Sequence, residues 1–125
     1  MAKLALLVVA SAALAGSSPQ VLARIPTGDS PGAATAAYGA VWVTNDGAGT
    51  LARIDPQTNR VTRRARLRPG AFSVTHGFGA LWVVNYKRNT LTRVDPSTMR
   101  TRSVRVGAVP DGLLAAGVSR GFAVG

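Results

Sequence analysis

The chain has 125 residues, no cysteine and a formal net charge of +10. The lack of cysteine excludes disulfide bonds and thiolate metal sites. Arginine supplies 13 of the 15 positive charges, against five aspartates and no glutamate, and this balance favours acidic partners or a basic, solvated surface.

The N-terminal segment, residues 1–23, has the pattern of a secretory signal peptide. Lys3 precedes an apolar run over residues 4–15, and a polar spacer follows this run. The bond after Ala23 is the preferred cleavage site, and the bond after Ala15 is the alternative. The run is shorter than the roughly 20 residues of a transmembrane helix. We therefore expect a signal-peptide helix, an extracytoplasmic (secreted or periplasmic) location and no transmembrane segment; an ordinary N-terminal helix is the alternative.

A repeat dominates the remaining chain, residues 24–125. Residues 24–31 predict a loop, because prolines and glycines leave no room for a regular element. The stretch at residues 39–60 then recurs at residues 79–100, with 12 identities in 22 positions. A repeat period of about 40 residues is typical of repeat architectures.

Each unit predicts four short strands joined by tight turns. In the first unit the small residues 32–37 favour a strand, and residues 40–45 favour another because their side chains are apolar and β-branched or aromatic. Turn residues at 45–49 precede a strand at 50–55. A last strand at 59–67 would place three apolar residues on one face and its arginines on the other. These apolar residues are Val61, Ala65 and Leu67.

The second unit repeats this plan with predicted strands at 71–75, 80–85, 90–95 and 100–106. A third unit begins near Gly112, and Phe122 falls one repeat period after Trp82. Four antiparallel strands in each repeat period predict an all-β fold made of β-propeller blades. The blades would span about 32–67 and 71–106, with half a blade at 112–125. A β-sandwich of two meanders is the alternative.

The motifs resemble those of a known repeat family. Residues 42–45 (WVTN) and 82–85 (WVVN) are similar to the Tyr-Val-Thr-Asn motif of the YVTN family, and residues 53–56 and 93–96 match its usual continuation. The resemblance implies an extracytoplasmic propeller. Streptogramin-lyase-like propellers, which are enzymes, use a similar repeat.

The chain is too short to form a closed propeller ring by itself. Closed propellers have roughly four to eight blades, so two and a half blades form an open, incomplete propeller. We expect either a piece of a longer propeller or an assembly of several copies. The partners would then be the remaining blades or further copies of the chain, with a protein or an anionic polymer as ligand.

The predicted binding rim consists of the loops between the second and third strands, residues 45–49 and 85–89, and the links that follow the units, residues 68–70 and 109–111. The residues there that differ between the units are the better candidates for ligand contact, since a structural role would recur in both copies. The candidates are Asn45, Asp46, Asn85, Tyr86, Lys87 and Arg88. Asn45 and Asn85 recur, so closing their own turns is the competing interpretation.

Other repeated residues are assigned structural roles. Asp55-Pro56 and Asp95-Pro96 favour tight turns, because aspartate accepts backbone hydrogen bonds and proline presets φ. Trp42 and Trp82 are expected to pack between blades rather than to stack on bases.

The sequence offers no catalytic set. His76, the one histidine, is expected in a turn after the first strand of its unit, away from the binding rim. General acid–base chemistry needs a partner within hydrogen-bond reach, and none is evident. No phosphate-binding loop opens a helix. We therefore expect an exported binding scaffold without catalytic residues, metal, cofactor or specific nucleic acid. The alternative is a piece of a streptogramin-lyase-like enzyme whose catalytic residues lie outside this chain.

Overall fold

A computed structural model describes residues 4–9 and 18–107, which form β-strands and no helix. The predicted all-β class is thus confirmed for this part of the chain. None of it forms a helix suited to crossing a membrane. The strands are β1 (Leu4–Val9), β2 (Gln20–Pro26), β3 (Pro31–Ala37), β4 (Ala40–Asn45), β5 (Thr50–Asp55), β6 (Arg60–Arg66), β7 (Ala71–Gly77), β8 (Ala80–Asn85), β9 (Thr90–Val94) and β10 (Thr101–Arg105).

The strands form three antiparallel sheets. The first sheet contains β3, β4, β5 and β6 in that order, and the second contains β7, β8, β9 and β10 in that order. β1 pairs with β2 in a separate two-stranded sheet. Neighbouring strands in each four-stranded sheet are also consecutive in the chain, and neither sheet closes on itself.

Local sequence explains the hairpins. Tyr38-Gly39 and Phe78-Gly79 have positive φ at both positions, the requirement of a type I′ turn, whose twist matches that of the flanking strands. Gly49, at φ 68°, closes the loop between β4 and β5, and Asn89, at φ 53°, takes the same place in the second unit. Glycine and asparagine tolerate this left-handed conformation better than other residues.

Two apolar cores hold the sheets together. The larger core lies between the two four-stranded sheets; its buried residues are Ala40, Trp42, Leu51, Ala65, Leu67, Ala71, Leu81, Val83 and Val94. The smaller core lies on the other face of the first sheet, where Ile25 of β2 packs with Val43 and Ile54. The first sheet is therefore covered on both faces, by β2 on one side and by the second sheet on the other.

Two predictions for the N-terminal part differ from the structure. Residues 4–9 are an extended strand, not the helix expected for a signal peptide. The loop predicted at residues 24–31 begins later, because Arg24 to Pro26 complete β2. Burial of Ile25, with 2% exposure, stabilises this strand against the first sheet.

The predicted face of Val61 is wrong. A β-bulge pairs Arg53 with Arg63 and Ile54 with Val61, so one residue, Thr62, has no opposite partner. An extra residue reverses the side-chain alternation. Val61 therefore packs on the smaller core, whereas Ala65 belongs to the larger one. The predicted half blade at 112–125 lies outside the described residues.

Candidate functional site

The two repeated asparagines are buried turn anchors. Asn85 is 2% exposed, and its Oδ1 accepts hydrogen bonds from the N–H groups of Lys87 and Arg88, both at 3.1 Å. Its Nδ2 donates to the carbonyl oxygens of residues 67–69 at 3.1–3.4 Å. One amide thus ties the link between the two sheets to the loop after β8, which leaves no free atom for a ligand.

The Asn45 side chain also binds the link before its sheet, with different partners. It is fully buried; its Oδ1 accepts the hydroxyl of Thr27 at 3.0 Å, and its Nδ2 donates to the Thr27 carbonyl at 3.2 Å and to Thr50 Oγ1 at 3.1 Å. Thr27 lies in the link between β2 and β3. Each asparagine therefore binds the link that precedes its own sheet; Asn85 ties it to the loop after β8, and Asn45 ties it to the first residue of β5.

Asp46, Tyr86 and Lys87 come together on one rim, and we call these three residues with Phe72 the rim cluster. The Tyr86 hydroxyl donates to Asp46 Oδ2 at 3.1 Å, and Asp46 Oδ1 accepts the N–H of Gly70 at 2.9 Å. Phe72 meets the Tyr86 ring edge to face, with centroids 6.3 Å apart. Lys87 Nζ lies 5.7 Å from the Tyr86 ring centroid. Candidates from two units are thus brought together.

Arg88 lies outside the rim cluster, on a different surface. It lines a cleft between β6 and the outer strands of the second sheet, together with Arg66 and Arg68. Arg68 belongs to a link predicted to lie on the binding rim, but neither of these two arginines was among the predicted ligand contacts. Arg88 was selected because it differs between the two units, and the same criterion applies to Arg66 and Arg68. Pro26 and Gly28 occupy the matching positions one repeat period earlier, so the repeat requires neither arginine. Phe72 was missed likewise, although Gly32 takes its place in the first unit.

The aspartates before proline close turns. Asp55 Oδ1 accepts the N–H of Gln57 at 2.8 Å. Asp95 Oδ1 accepts the Ser97 hydroxyl and the Ser97 N–H, both at 2.8 Å, and the Thr98 N–H at 3.1 Å. The Ser97 hydroxyl bond, followed by the two backbone bonds, lowers the pKa of Asp95, because these bonds stabilise the carboxylate form.

His76 lies within β7 and not in the predicted turn. Its Nδ1 is 2.9 Å from Thr35 Oγ1 of the first sheet, and the Tyr38 ring meets it edge to face at 6.2 Å. The Tyr38 hydroxyl in turn donates to the Ala80 carbonyl at 3.1 Å. His76 and Tyr38 therefore join the two sheets through polar and ring contacts.

Trp42 and Trp82 make equivalent hydrogen bonds but differ in burial. Each Nε1 donates to a backbone carbonyl, Trp42 to Ala37 at 2.9 Å and Trp82 to Gly77 at 3.0 Å. Trp42 has no exposed surface, because the second sheet covers it. Trp82 is half-buried.

The described residues contain no group of three or more histidine, aspartate or glutamate side chains that could hold a metal ion. All buried side-chain nitrogen and oxygen atoms of the described residues have hydrogen-bond partners. None of these atoms is therefore left unpaired for a ligand to bind. The site offers surface recognition through aromatic, hydroxyl and charged groups. Comparisons of the chain with models of known protein families and with curated proteins found no match.

Proposed function

We propose that the chain is part of an exported β-propeller of the YVTN-like kind and acts as a binding scaffold. The supporting observation is the stacking of two four-stranded meanders with the same strand order. Their matching strands begin one repeat period apart in three of four cases, as with β3 at Pro31 and β7 at Ala71. Stacked meanders of this kind are the units of a propeller.

The unequal tryptophans support the assignment of further units as partners. Trp42 is covered because a second sheet packs on its face, and Trp82 is the equivalent residue of that second sheet. A third sheet would cover Trp82 in the same way. Repeat units need neighbours to bury their apolar faces, so we assign the Trp82 face to the next unit of the same kind.

The rim cluster is the proposed ligand-contact surface of the scaffold. Tyr86 and Phe72 are 40% and 46% exposed, and the Asp46 and Gly70 bonds fix the loops that present them. Aromatic side chains held in this way offer large contact area at low cost in conformational entropy. This arrangement suits binding.

The covering of Trp82 is testable by fluorescence. The Trp42→Phe variant leaves Trp82 as the single tryptophan of a chain that has two. We expect its quenching by acrylamide to fall as protein concentration rises, in step with an increase in mass by light scattering. This result would mean that a second copy of the chain packs on the Trp82 face, which we assign to the next unit.

The Trp82→Phe variant is the matched control. It leaves the buried Trp42, whose quenching is expected to be weak at every concentration. A monodisperse monomer that unfolds cooperatively, and in which Trp82 quenching does not change with concentration, would contradict the proposal.

A further inference from the structure

A basic cleft separates β6 from the outer strands of the second sheet. Its volume is about 340 Å³. The side chains that line it are guanidinium and hydroxyl groups with one leucine: Arg66, Leu67, Arg68, Arg88, Thr90, Thr92, Thr101 and Ser103. None of these described lining residues is acidic, and the three arginines are exposed.

The cleft extends beyond the size of a single anion. A second depression of about 680 Å³ is lined by Arg66, Arg68, Ala48 and Pro69. Because Arg66 and Arg68 line both, the two depressions form one basic surface along the end of β6. This surface suits an elongated ligand with several negative charges.

The backbone around the arginines is held in place. Asn85 Nδ2 binds the carbonyl oxygens of Arg68 and Pro69 at 3.2 and 3.1 Å, and Asn85 Oδ1 binds the N–H of Arg88 at 3.1 Å. The N–H of Leu67 donates to Gly49 at 2.6 Å. Arg68 and Arg88 therefore rise from segments joined through one buried amide, and prior ordering of a site lowers the entropic cost of binding.

The first unit provides an internal comparison. One repeat period earlier, the places of Arg66, Arg68 and Arg88 are taken by Pro26, Gly28 and Ala48. No arginine of the cleft is therefore repeated. The places of Thr92 and Thr101 are taken by Ala52 and Val61, so these hydroxyls are also new.

A single residue explains why the equivalent space differs in the first unit. Ser103 pairs with Thr92 in the second sheet, and Arg64 pairs with Ala52 at the same place in the first. Arg64 Nη2 donates to the Thr27 carbonyl at 3.1 Å, and Thr27 stands one repeat period before the cleft residue Leu67. In the first unit an arginine of the sheet itself reaches across this space. In the second unit the short Ser103 leaves it open.

We propose that this cleft binds an anionic polysaccharide. Guanidinium groups form paired, charge-assisted hydrogen bonds with carboxylate or sulfate oxygens. The hydroxyls of Thr90 and Thr101 complement sugar hydroxyls, whereas the Ser103 hydroxyl is hydrogen-bonded to that of Thr92 at 2.7 Å. The lining contains no aromatic side chain among the described residues, whereas single-stranded nucleic acid is bound on aromatic stacking platforms. The inference goes beyond the scaffold role and does not require the ring to close.

The test is the binding of a fluorescein-labelled oligogalacturonate hexamer to the full chain, measured by fluorescence anisotropy. Arg88→Ala is expected to weaken binding about tenfold, the scale of one lost charge-assisted contact. Arg60→Ala removes the same charge from an exposed position outside the cleft and is expected to change binding less than about twofold. Circular dichroism checks that both variants keep the fold.

Ser103→Arg separates the cleft from general attraction to a basic protein. This variant raises the net charge by one, yet it is expected to weaken binding at least about fivefold, because the new guanidinium occupies the cleft as Arg64 does in the first unit. Arg68→Gly is a second variant that keeps the left-handed backbone at φ 70° and removes one guanidinium.

Several results would overturn the proposal. These are equal losses for Arg60→Ala and Arg88→Ala, tighter binding by Ser103→Arg, or equal binding of an uncharged maltohexaose. Tighter binding of a thymidylate hexamer than of the oligogalacturonate would assign the cleft to nucleic acid instead.

Discussion

Asn85 illustrates how much one buried amide can stabilise at the residue scale. Its side chain satisfies two backbone N–H groups and three carbonyl oxygens. We expect Asn85→Ala to lower the free energy of unfolding by about 2–3 kcal/mol, because buried polar groups lose their partners. Urea unfolding measures this. Gln57→Ala, in an exposed turn, is the control and is expected to stay within about 0.5 kcal/mol. Equal effects of the two substitutions would contradict the anchoring role.

Asp95 provides a pH-dependent prediction at the same scale. Its pKa is lowered in the folded chain, first by the Ser97 hydroxyl and then by backbone N–H groups. A lowered carboxyl pKa contributes stability above the pKa of the unfolded chain, and this contribution is lost as the pH falls through the lower, native pKa. An NMR titration of the Asp95 side chain is expected to show the lowered pKa, and Ser97→Ala is expected to raise it.

Thr98→Ala is the control for this titration, since Asp95 binds the backbone N–H of Thr98 and not its hydroxyl. The pKa of Asp95 is expected to be unchanged in this variant. An unchanged pKa in Ser97→Ala would instead remove the hydroxyl as the main cause.

At the scale of the element, β6 and β10 differ in how they pair with the neighbouring strand. β6 carries a bulge at Thr62, and β10 pairs with β9 without interruption. Deletion of Thr62 would retain the pairing of Val61 with Ile54 and of Arg63 with Arg53. We expect the deletion to cost no more than about 1 kcal/mol, because only exposed bonds between Thr62 and Arg53 are lost.

Deletion of Ala52 is the contrasting change. It falls between Leu51 and Ile54, which are buried in opposite cores. A one-residue slip moves side chains to the wrong face, so the expected loss is at least about 3 kcal/mol. Chemical unfolding compares the two deletions. If deletion of Thr62 proved as costly as deletion of Ala52, the bulge would have a role beyond adjusting the register.

β2 bears on the predicted maturation of the chain. It runs from Gln20 to Pro26, and Ala23 and Ile25 contribute to the smaller core. The predicted cleavage after Ala23 would fall within this strand, and the alternative after Ala15 would remove β1, which pairs with β2. The choice between the two sites stays a prediction.

At the scale of the molecule, stacking of sheets creates the surfaces of interest. Asp46 and Tyr86 belong to different units and meet because the second sheet lies on the first. The basic cleft likewise joins Arg66 of one sheet to Ser103 of the other. The local pattern predicted the loops that carry Asp46, Tyr86 and Arg88. It did not separate them into two surfaces, because that separation depends on the orientation of one sheet against its neighbour.

The sequence by itself determined the strands and turns of the two repeated units and their period, but not β1 and β2. Val41, Trp42 and Val43 favour an extended chain, and the turn residues that follow them act through local backbone preferences. These preferences operate within a short stretch of chain, so they are readable from the sequence.

Only the tertiary structure decided the face of Val61, the covering of Trp42 and the opening of the cleft at Ser103. Each depends on a residue that is distant in the chain: the opposing Arg53, the second sheet, and Thr92 with the link before it. Contacts of this kind arise when sheets pair and stack, and one residue more or less in a strand changes them without changing the local pattern.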